Sequence, residues 1–469
     1  MTEAVVVGSG PNGLSAAICL ARAGLEVSVL EAAQTAGGAS SSAEVTLPGF
    51  IHDLCAAVHP LAAASPFLSS LDISGVLAWS DPSFAHPLEG ESAAALWESP
   101  EQTADSLGAD GARYLRLMRG LWADPEGVIS DLLEAVPIPR RTWRSALMAL
   151  GGLLPANILG AYFRQEKARA LLAGAAAHSM RPLSSSPTGA YGLLFLGLGH
   201  WPGWPVAKGG SSSLVKILLG ELGRLGGKVV TGHRVDSLQE LSAARLVLLD
   251  TSFPEFLRLA RGRLPSSYVS RARRFRYGPA YCKVDWALDG AVPWLAPECR
   301  KALSLHVGGS FAEIAAAEEE VWRGRHPDRP FVLVCQPGVV DPSRAPAGKA
   351  TLWAYCHVPP GSDVDMAPRI EAQIERFAPG FRDLVLARRT TTAAEAAAQN
   401  ANHPQGSIGG GDGSLWGLAF RPRTRLSPYR TPIPGVYLCS SSTPPGPGVH
   451  GMCGLHAAQL ALADLRRGL

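Results

Sequence analysis

Apolar positions along this chain follow two rhythms. Ala4-Val5-Val6-Val7 is a short unbroken apolar run, the mark of a parallel strand buried on both faces. Val27, Val29 and Leu30 mark a second strand, and between the two lies an amphipathic stretch, 14–23, closed by Gly24 as a helix C-cap. Helical patterning returns over 105–122, 126–135, 164–177, 211–225 and 451–465, with proline-rich joints among the first three. Strands are predicted over 280–288, 331–335 and 350–358. The last of these alternates: Trp353, Tyr355 and His357 share one face, Leu352, Ala354, Cys356 and Val358 the other. The aromatic face either lines a cavity or packs under the helical part of the chain.

The first strand runs directly into Gly8-Ser9-Gly10-Pro11-Asn12-Gly13, a G-x-G-x-x-G spacing that opens the helix, and the second strand ends at Glu31. Each position has a physical task in a dinucleotide site. Gly8 permits the tight turn, Gly10 lets the backbone approach a pyrophosphate at the helix N-terminus, and Gly13 lets helix and strand pack closely. Glu31 accepts from an adenosine ribose hydroxyl and argues against a 2′-phosphate, hence against NADP. A bulky residue at Gly10 is expected to empty the site, whereas Ser9→Thr is expected to matter little.

Composition narrows the classes. With 469 residues the chain is long enough for two domains; 46% of them are apolar and 18% charged, so a disordered chain is excluded. The formal charge of +3 gives no case for nucleic acid. The eight cysteines form no C-x-x-C pair and the twelve histidines no H-E-x-x-H, which removes redox-disulfide, zinc-ribbon and zincin readings; no metal is expected. The N-terminus has no export signal, and a cytoplasmic location is expected. Two charge-free stretches, 145–163 and 182–207, are broken by glycine and proline and do not suit a spanning helix. The second holds Tyr191, Phe195, His200, Trp201 and Trp204, suited to a tunnel wall or to an irregular buried loop.

Gly37-Gly38 follows the second strand, and the segment from Val5 to Phe50 resembles the amino-terminal FAD region of the phytoene desaturase and amine oxidase superfamily. Lys208-Gly209-Gly210 with the following helix, Gly226-Gly227-Lys228-Val229-Val230 and Val235 resemble its second FAD block. Pro434-Gly435-Val436-Tyr437-Leu438-Cys439 and Pro444 to Gly451 resemble the carboxy-terminal flavin-contacting motif of bacterial phytoene-desaturase-related oxidoreductases. Tyr281 to Leu288 is also similar to that group. The resemblance implies an α/β fold in which a Rossmann-like FAD-binding domain (1–65, 200–262 and 395–469) is interleaved with a mixed α+β substrate domain (66–199 and 263–394). It brings Val235 near the adenine and the donors of Gly448, Val449 and His450 to the flavin; the His450 side chain either takes part or only packs. The chain departs from the superfamily in three places, one of them Pro447, which removes a possible backbone donor from the final glycine run. Ala32-Ala33 stand where an arginine commonly follows the ribose acid, and Ser440, Ser441 and Ser442 where a carboxylate often holds the ribityl chain, so Ser441 is the expected substitute.

The implied function is FAD-dependent dehydrogenation, or desaturation, of a largely apolar small molecule, with oxygen or a quinone as electron acceptor. Alternatives are a flavin-dependent isomerase or saturase, and a non-catalytic binder of FAD or an isoprenoid. Catalytic residues are not identified; His178, His200, Tyr355 and His357 are the candidates. Seven arginines from Arg258 to Arg276 form either a solvated face or a patch for peripheral contact with anionic lipid headgroups.

Overall fold

The computed structural model describes residues 3–135, 143, 151–415, 417, 421 and 427–468. Its strands of three or more residues are, in chain order, β1 (Ala4–Val7), β2 (Val27–Leu30), β3 (Phe84–Pro87), β4 (Ala93–Leu96), β5 (Lys228–Val230), β6 (Leu246–Leu249), β7 (Ala280–Leu288), β8 (Ser304–Val307), β9 (Val332–Cys335), β10 (Ala350–Val358), β11 (Val385–Thr391) and β12 (Val436–Leu438). Among the described residues, the helices of eight or more residues are α1 (Pro11–Arg22), α2 (Gly111–Leu121), α3 (Pro125–Leu132), α4 (Glu166–Ala177), α5 (Thr188–His200), α6 (Ser212–Arg224), α7 (Phe311–Trp322), α8 (Ala367–Phe377) and α9 (Met452–Arg466).

Five strands from three distant chain segments form a parallel sheet in the order β12-β6-β1-β2-β5. Both faces are covered, which is why the strand sequences are unbroken apolar runs. Ala4, Val6, Val27, Val29, Leu246 and Leu248 pack with residues of α1, α6 and α9. Val5, Val7, Val247 and Leu249 pack on the other side with Phe253, Phe256 and Tyr268.

The second sheet has seven strands in the order β11-β7-β10-β9-β8-β3-β4, antiparallel except for the β3–β8 pair. Its two faces differ in chemistry. One is plainly hydrophobic: Val284, Trp286, Leu352, Ala354, Val334 and Leu305 meet Ile370, Ile374 and Phe377 of α8. On the other, the register sets Tyr281 opposite His357, Lys283 opposite Tyr355 and Asp285 opposite Trp353. That face continues through Leu333 and Cys335 of β9 and His306 of β8 to Phe84 of β3.

Two sequence expectations shift. The 105–122 helix is split, because Gly108 adopts φ +57 and Asp110 turns its carboxylate to the backbone N–H groups of Arg164 and Gln165 (2.7 and 2.6 Å). Half of 182–207, expected to be a tunnel wall or an irregular buried loop, is helix α5. Its glycines serve close packing: a Cβ at Gly199 would lie 2.0 Å from Leu96 Cδ2, and one at Gly192 2.8 Å from Leu172 Cδ1. Much of this segment is therefore core. Residues 145–150 of the other charge-free stretch lie outside the described residues. Among the described residues no helix is long and apolar enough to cross a membrane.

Candidate functional site

The site has a glycine-loop end and a sheet-face end. At the first, Glu31 turns back on the loop: Ser9 donates to its Oε2 from the backbone N–H (2.9 Å) and from Oγ (2.6 Å), and Ala33 N–H donates to Oε1 (2.8 Å). Gly37 N–H donates to Ser9 Oγ (3.2 Å), and a Cβ on Gly38 would lie 3.2 Å from Gly10 Cα, so both glycine pairs meet at one place. Gly13 lies against the turn, with a Cβ there only 2.1 Å from the Gly8 carbonyl oxygen. Pro11 and Asn12 begin α1, and His233 N–H donates to the Glu31 carbonyl (2.8 Å), so the segment leading to buried Val235 passes the ribose acid.

The third block joins the same place. Cys439 N–H donates to the Leu249 carbonyl (2.9 Å), and a Cβ on Gly451 would lie 3.1 Å from Ser15 Cβ. Gly448 is exposed, Ser441 and Val449 are half-buried, and His450 is buried. The His450 ring is used internally. Met452 N–H donates to Nδ1 (3.0 Å), which leaves the hydrogen on Nε2 to face the Gly446 carbonyl (3.2 Å). The ring therefore caps α9, and since the His450 carbonyl accepts from Ser65 Oγ (2.6 Å), only the His450 backbone N–H is left to face a ligand. His450→Ala is expected to lower the unfolding free energy by about 1 kcal/mol, as loss of a helix cap does, measured by urea denaturation.

Asn12 Oδ1, Ser15 Oγ and Ser40 Oγ are buried beside this loop without a hydrogen-bond partner. Buried polar atoms are normally satisfied, so glycine-lined backbone with orphaned polar groups fits a polar, elongated ligand such as a dinucleotide. Gly10→Val is expected to abolish flavin retention while the protein still folds, read from the absorbance of the purified protein. Full occupancy would place the site elsewhere. The mild control expected from sequence needs correction: Ser9 is fully buried and holds Glu31, so the added methyl of Ser9→Thr has no free space.

At the sheet-face end the alternation in β10 resolves into a junction. Trp353 packs with Ala57 and Val206 from outside the sheet, and Tyr355 bridges that cluster and the one containing Ala173, Ala176 and Leu183. His357 Nδ1 faces both Glu318 oxygens (2.8 and 2.9 Å), and its Nε2 is buried with no partner. His178 meets His306, Nε2 to Nε2 at 2.9 Å, inside a cage of Phe84, Phe195 and Trp204. Burial pushes His178 down to about 3 and His306 well below its usual range, so both are neutral at physiological pH. His200 is elsewhere: it contacts the Tyr114 hydroxyl (2.5 Å) and the Trp97 carbonyl (2.8 Å).

Several residues were not singled out from sequence. Lys283 and Asp285 form an ion pair on β7, each 2% exposed, with the Lys283 ammonium 5.9 Å from the Trp353 ring centroid. Burial pushes the Asp285 carboxyl up, against the pull of Lys283. His52 Nδ1 lies 3.5 Å from Asp285, and Arg344 joins Asp53 (3.0 Å) and Asp341 (2.9 Å) nearby. The available signal was the period-2 placement of two charges in an otherwise apolar nine-residue strand. Asp250, at the end of β6, was likewise passed over. Among the described residues no group of three or more His, Cys, Asp or Glu side chains could hold a metal ion.

Residues 6–71 match the NAD(P)-binding Rossmann-like domain family. A mouse protein, pyridine nucleotide-disulfide oxidoreductase domain-containing protein 2, is 26% identical, with 99% of this chain and 94% of that protein covered. An oxidoreductase from Methanosarcina mazei superposes with a TM-score of 0.65 at 16% identity, over 97% of this chain and 99% of its own. Cyclohexylamine oxidase from Brevibacterium oxydans superposes with a TM-score of 0.58 at 16% identity, over 100% and 99%. The chain has the fold of these oxidoreductases. Its first βαβ unit is a Rossmann-like dinucleotide-binding unit. The likeness is to oxidoreductases of this fold at large.

Proposed function

We propose that this chain is an FAD-dependent oxidoreductase that removes two hydrogens from a largely apolar small molecule held against the aromatic face of the seven-stranded sheet. The observation that carries the reading is that face: one side of the sheet is ordinary core, while the other gathers Trp353, Tyr355, Phe84, Phe195 and Trp204 around the neutral His178–His306 pair, the His357–Glu318 contact and the Lys283–Asp285 ion pair. Such a lining binds apolar surface and offers few fixed charges, with His357 Nε2, His306 Nδ1 and Trp353 Nε1 buried and free to meet one polar group. Bound FAD supplies the two-electron acceptor, with oxygen or a quinone as the final oxidant. The chain's share is to orient the substrate, exclude water and position Lys283 and the His178–His306 pair for proton movement.

Within this reading, the carboxy-terminal motif favours phytoene-desaturase-like oxidation of carbon–carbon bonds, and the likeness to cyclohexylamine oxidase favours an apolar amine. Mass spectrometry of the compound that co-purifies with the yellow protein separates them. Acid should release intact FAD, and anaerobic addition of the true substrate should bleach the flavin. Activity only with pre-reduced flavin would mean a saturase or isomerase. A flavoprotein that no compound bleaches and that is inactive when reduced would be a carrier.

Peripheral membrane contact of a cytoplasmic protein is a further part of the proposal. Arg261, Arg263, Arg271, Arg273, Arg274 and Arg276 are exposed, whereas Arg258 is tied to Glu255 (2.7 Å). Each arginine near an anionic surface contributes about 1 kcal/mol, so the protein should float with anionic vesicles at low salt and be released by high salt. Absence of flotation at low salt removes this part.

A further inference from the structure

The dinucleotide site contains a carboxylate where its ligand carries phosphate. Strand β1 has β2 on one side and β6 on the other, and the chain passes from β1 through α1 to β2. The crevice between the carboxyl ends of β1 and β6 is therefore a switch point of the sheet, the place where open α/β folds take their ligands. Asp250 immediately follows β6 at that crevice. Its Oδ2 accepts the Gly13 N–H at 2.9 Å, one of the free donors at the start of α1. A Cβ on Gly10 would lie 2.6 Å from the same oxygen. The absence of that Cβ is what lets a pyrophosphate approach, so the Asp250 carboxylate already stands in the ligand's space.

The backbone of Asp250 is fixed. Its N–H donates to the Val7 carbonyl (2.8 Å), and the Asn402 amide donates to its carbonyl (2.8 Å). Relief can come only by rotation of the side chain or by its protonation. The facing groups are Glu31 at the end of β2, Cys439 beyond β12 and Cys453 on α9. Burial holds Cys439 well above its usual range and pushes Cys453 up to about 12, so neither thiol charges near neutrality.

We propose that Asp250 is a built-in anion that holds the pyrophosphate position of the empty site and competes with the cofactor, so that it sets how tightly FAD binds and how binding varies with pH. The proposal rests on the FAD reading above. Burial pushes the Asp250 carboxyl up to about 7, against the pull of the Gly13 N–H and with help from the Glu31 charge. A neutral carboxylic acid can stay and donate to a phosphate oxygen; a carboxylate must leave the crevice or repel the incoming anion. Protonation thus favours binding.

The test is equilibrium titration of the deflavinated full-length protein with FAD, followed by flavin fluorescence from pH 6 to pH 9, for the natural protein and for Asp250→Asn. The natural protein should bind with constant affinity below about pH 7 and lose up to about tenfold for each pH unit above it, the limit for release of one proton. Asp250→Asn should be flat across the range and bind more tightly than the natural protein at pH 8.5. Flat affinity in the natural protein overturns the proposal even if the variant fails to fold, and so does an unchanged slope in Asp250→Asn. Weaker binding by the variant at every pH makes Asp250 a ligand rather than a competitor and also overturns it. Absence of FAD binding by the natural protein at any pH removes the FAD reading itself, and this proposal with it.

Discussion

Acidification from pH 6.5 to pH 4 is expected to unfold this protein. His52, His59, His86, His306, His403 and His450 are all buried. Burial pushes His52 down to about 3, and His59, His86, His403 and His450 to about 4; His306 is held well below its usual range. In the unfolded chain each titrates near about 6.5. Between those values the unfolded state binds more protons than the folded state, so stability falls as pH falls. The stability is fully present above the unfolded value and is lost on the way down to the folded one. Each group costs about 1.4 kcal/mol per pH unit in that window, so two units below the start the six together exceed the 5–15 kcal/mol of an ordinary domain. Tryptophan fluorescence and circular dichroism should show one cooperative transition between pH 4 and pH 6. A native spectrum and cooperative melting at pH 4 would mean that water reaches these imidazoles and charges them in the folded state.

The parts of this molecule legible in its sequence are those whose residues lie close together along it. Strand, glycine loop, helix, second strand and Glu31 all fall within 4–31, and each carries a local signal of period, turn or cap. Three strands of the second sheet were legible for the same reason, with 280–288 and 350–358 expected at the limits observed, whereas the seven-residue β11 was not expected. Helix α5 was not, because glycine and proline weaken a helical reading, and only the neighbouring Leu96 and Leu172 show why small residues stand there. The relation between Asp250 and Gly13 spans 237 positions and depends on β6 pairing with β1, which no local pattern announces. The aromatic face of β10 was visible by alternation, but its partners Lys283 and Asp285 became its neighbours only through the β7–β10 register. Among the candidate histidines, type and apolar surroundings did not separate His178, which meets a second imidazole, from His200, which braces Tyr114 and Trp97.

Lys283→Met should cost about 3–5 kcal/mol of stability, the usual effect of leaving one member of a buried ion pair alone. Asp285 is 2% exposed, its Oδ1 has no hydrogen-bond partner, the neighbouring His52 is neutral, and Arg389, opposite it in the β7–β11 register, pulls on it less than Lys283 does. Burial already raises the Asp285 carboxyl, and without Lys283 it should be protonated in the folded state at neutral pH. The double variant Lys283→Met/Asp285→Leu removes both charges and should recover most of the loss, because an apolar pair of similar volume is often neutral or stabilising in such a position. Urea denaturation of the two single variants and the double gives the coupling directly. A pair that adds little net stability, yet persists in the middle of an aromatic face, points to chemistry as its reason for being there. The double variant should therefore remain folded and yellow while substrate-driven bleaching slows by orders of magnitude. Full bleaching by a stable double variant would reduce the pair to a means of fixing strand register. A cost below about 1 kcal/mol for Lys283→Met would place the pair in contact with water, as exposed pairs behave.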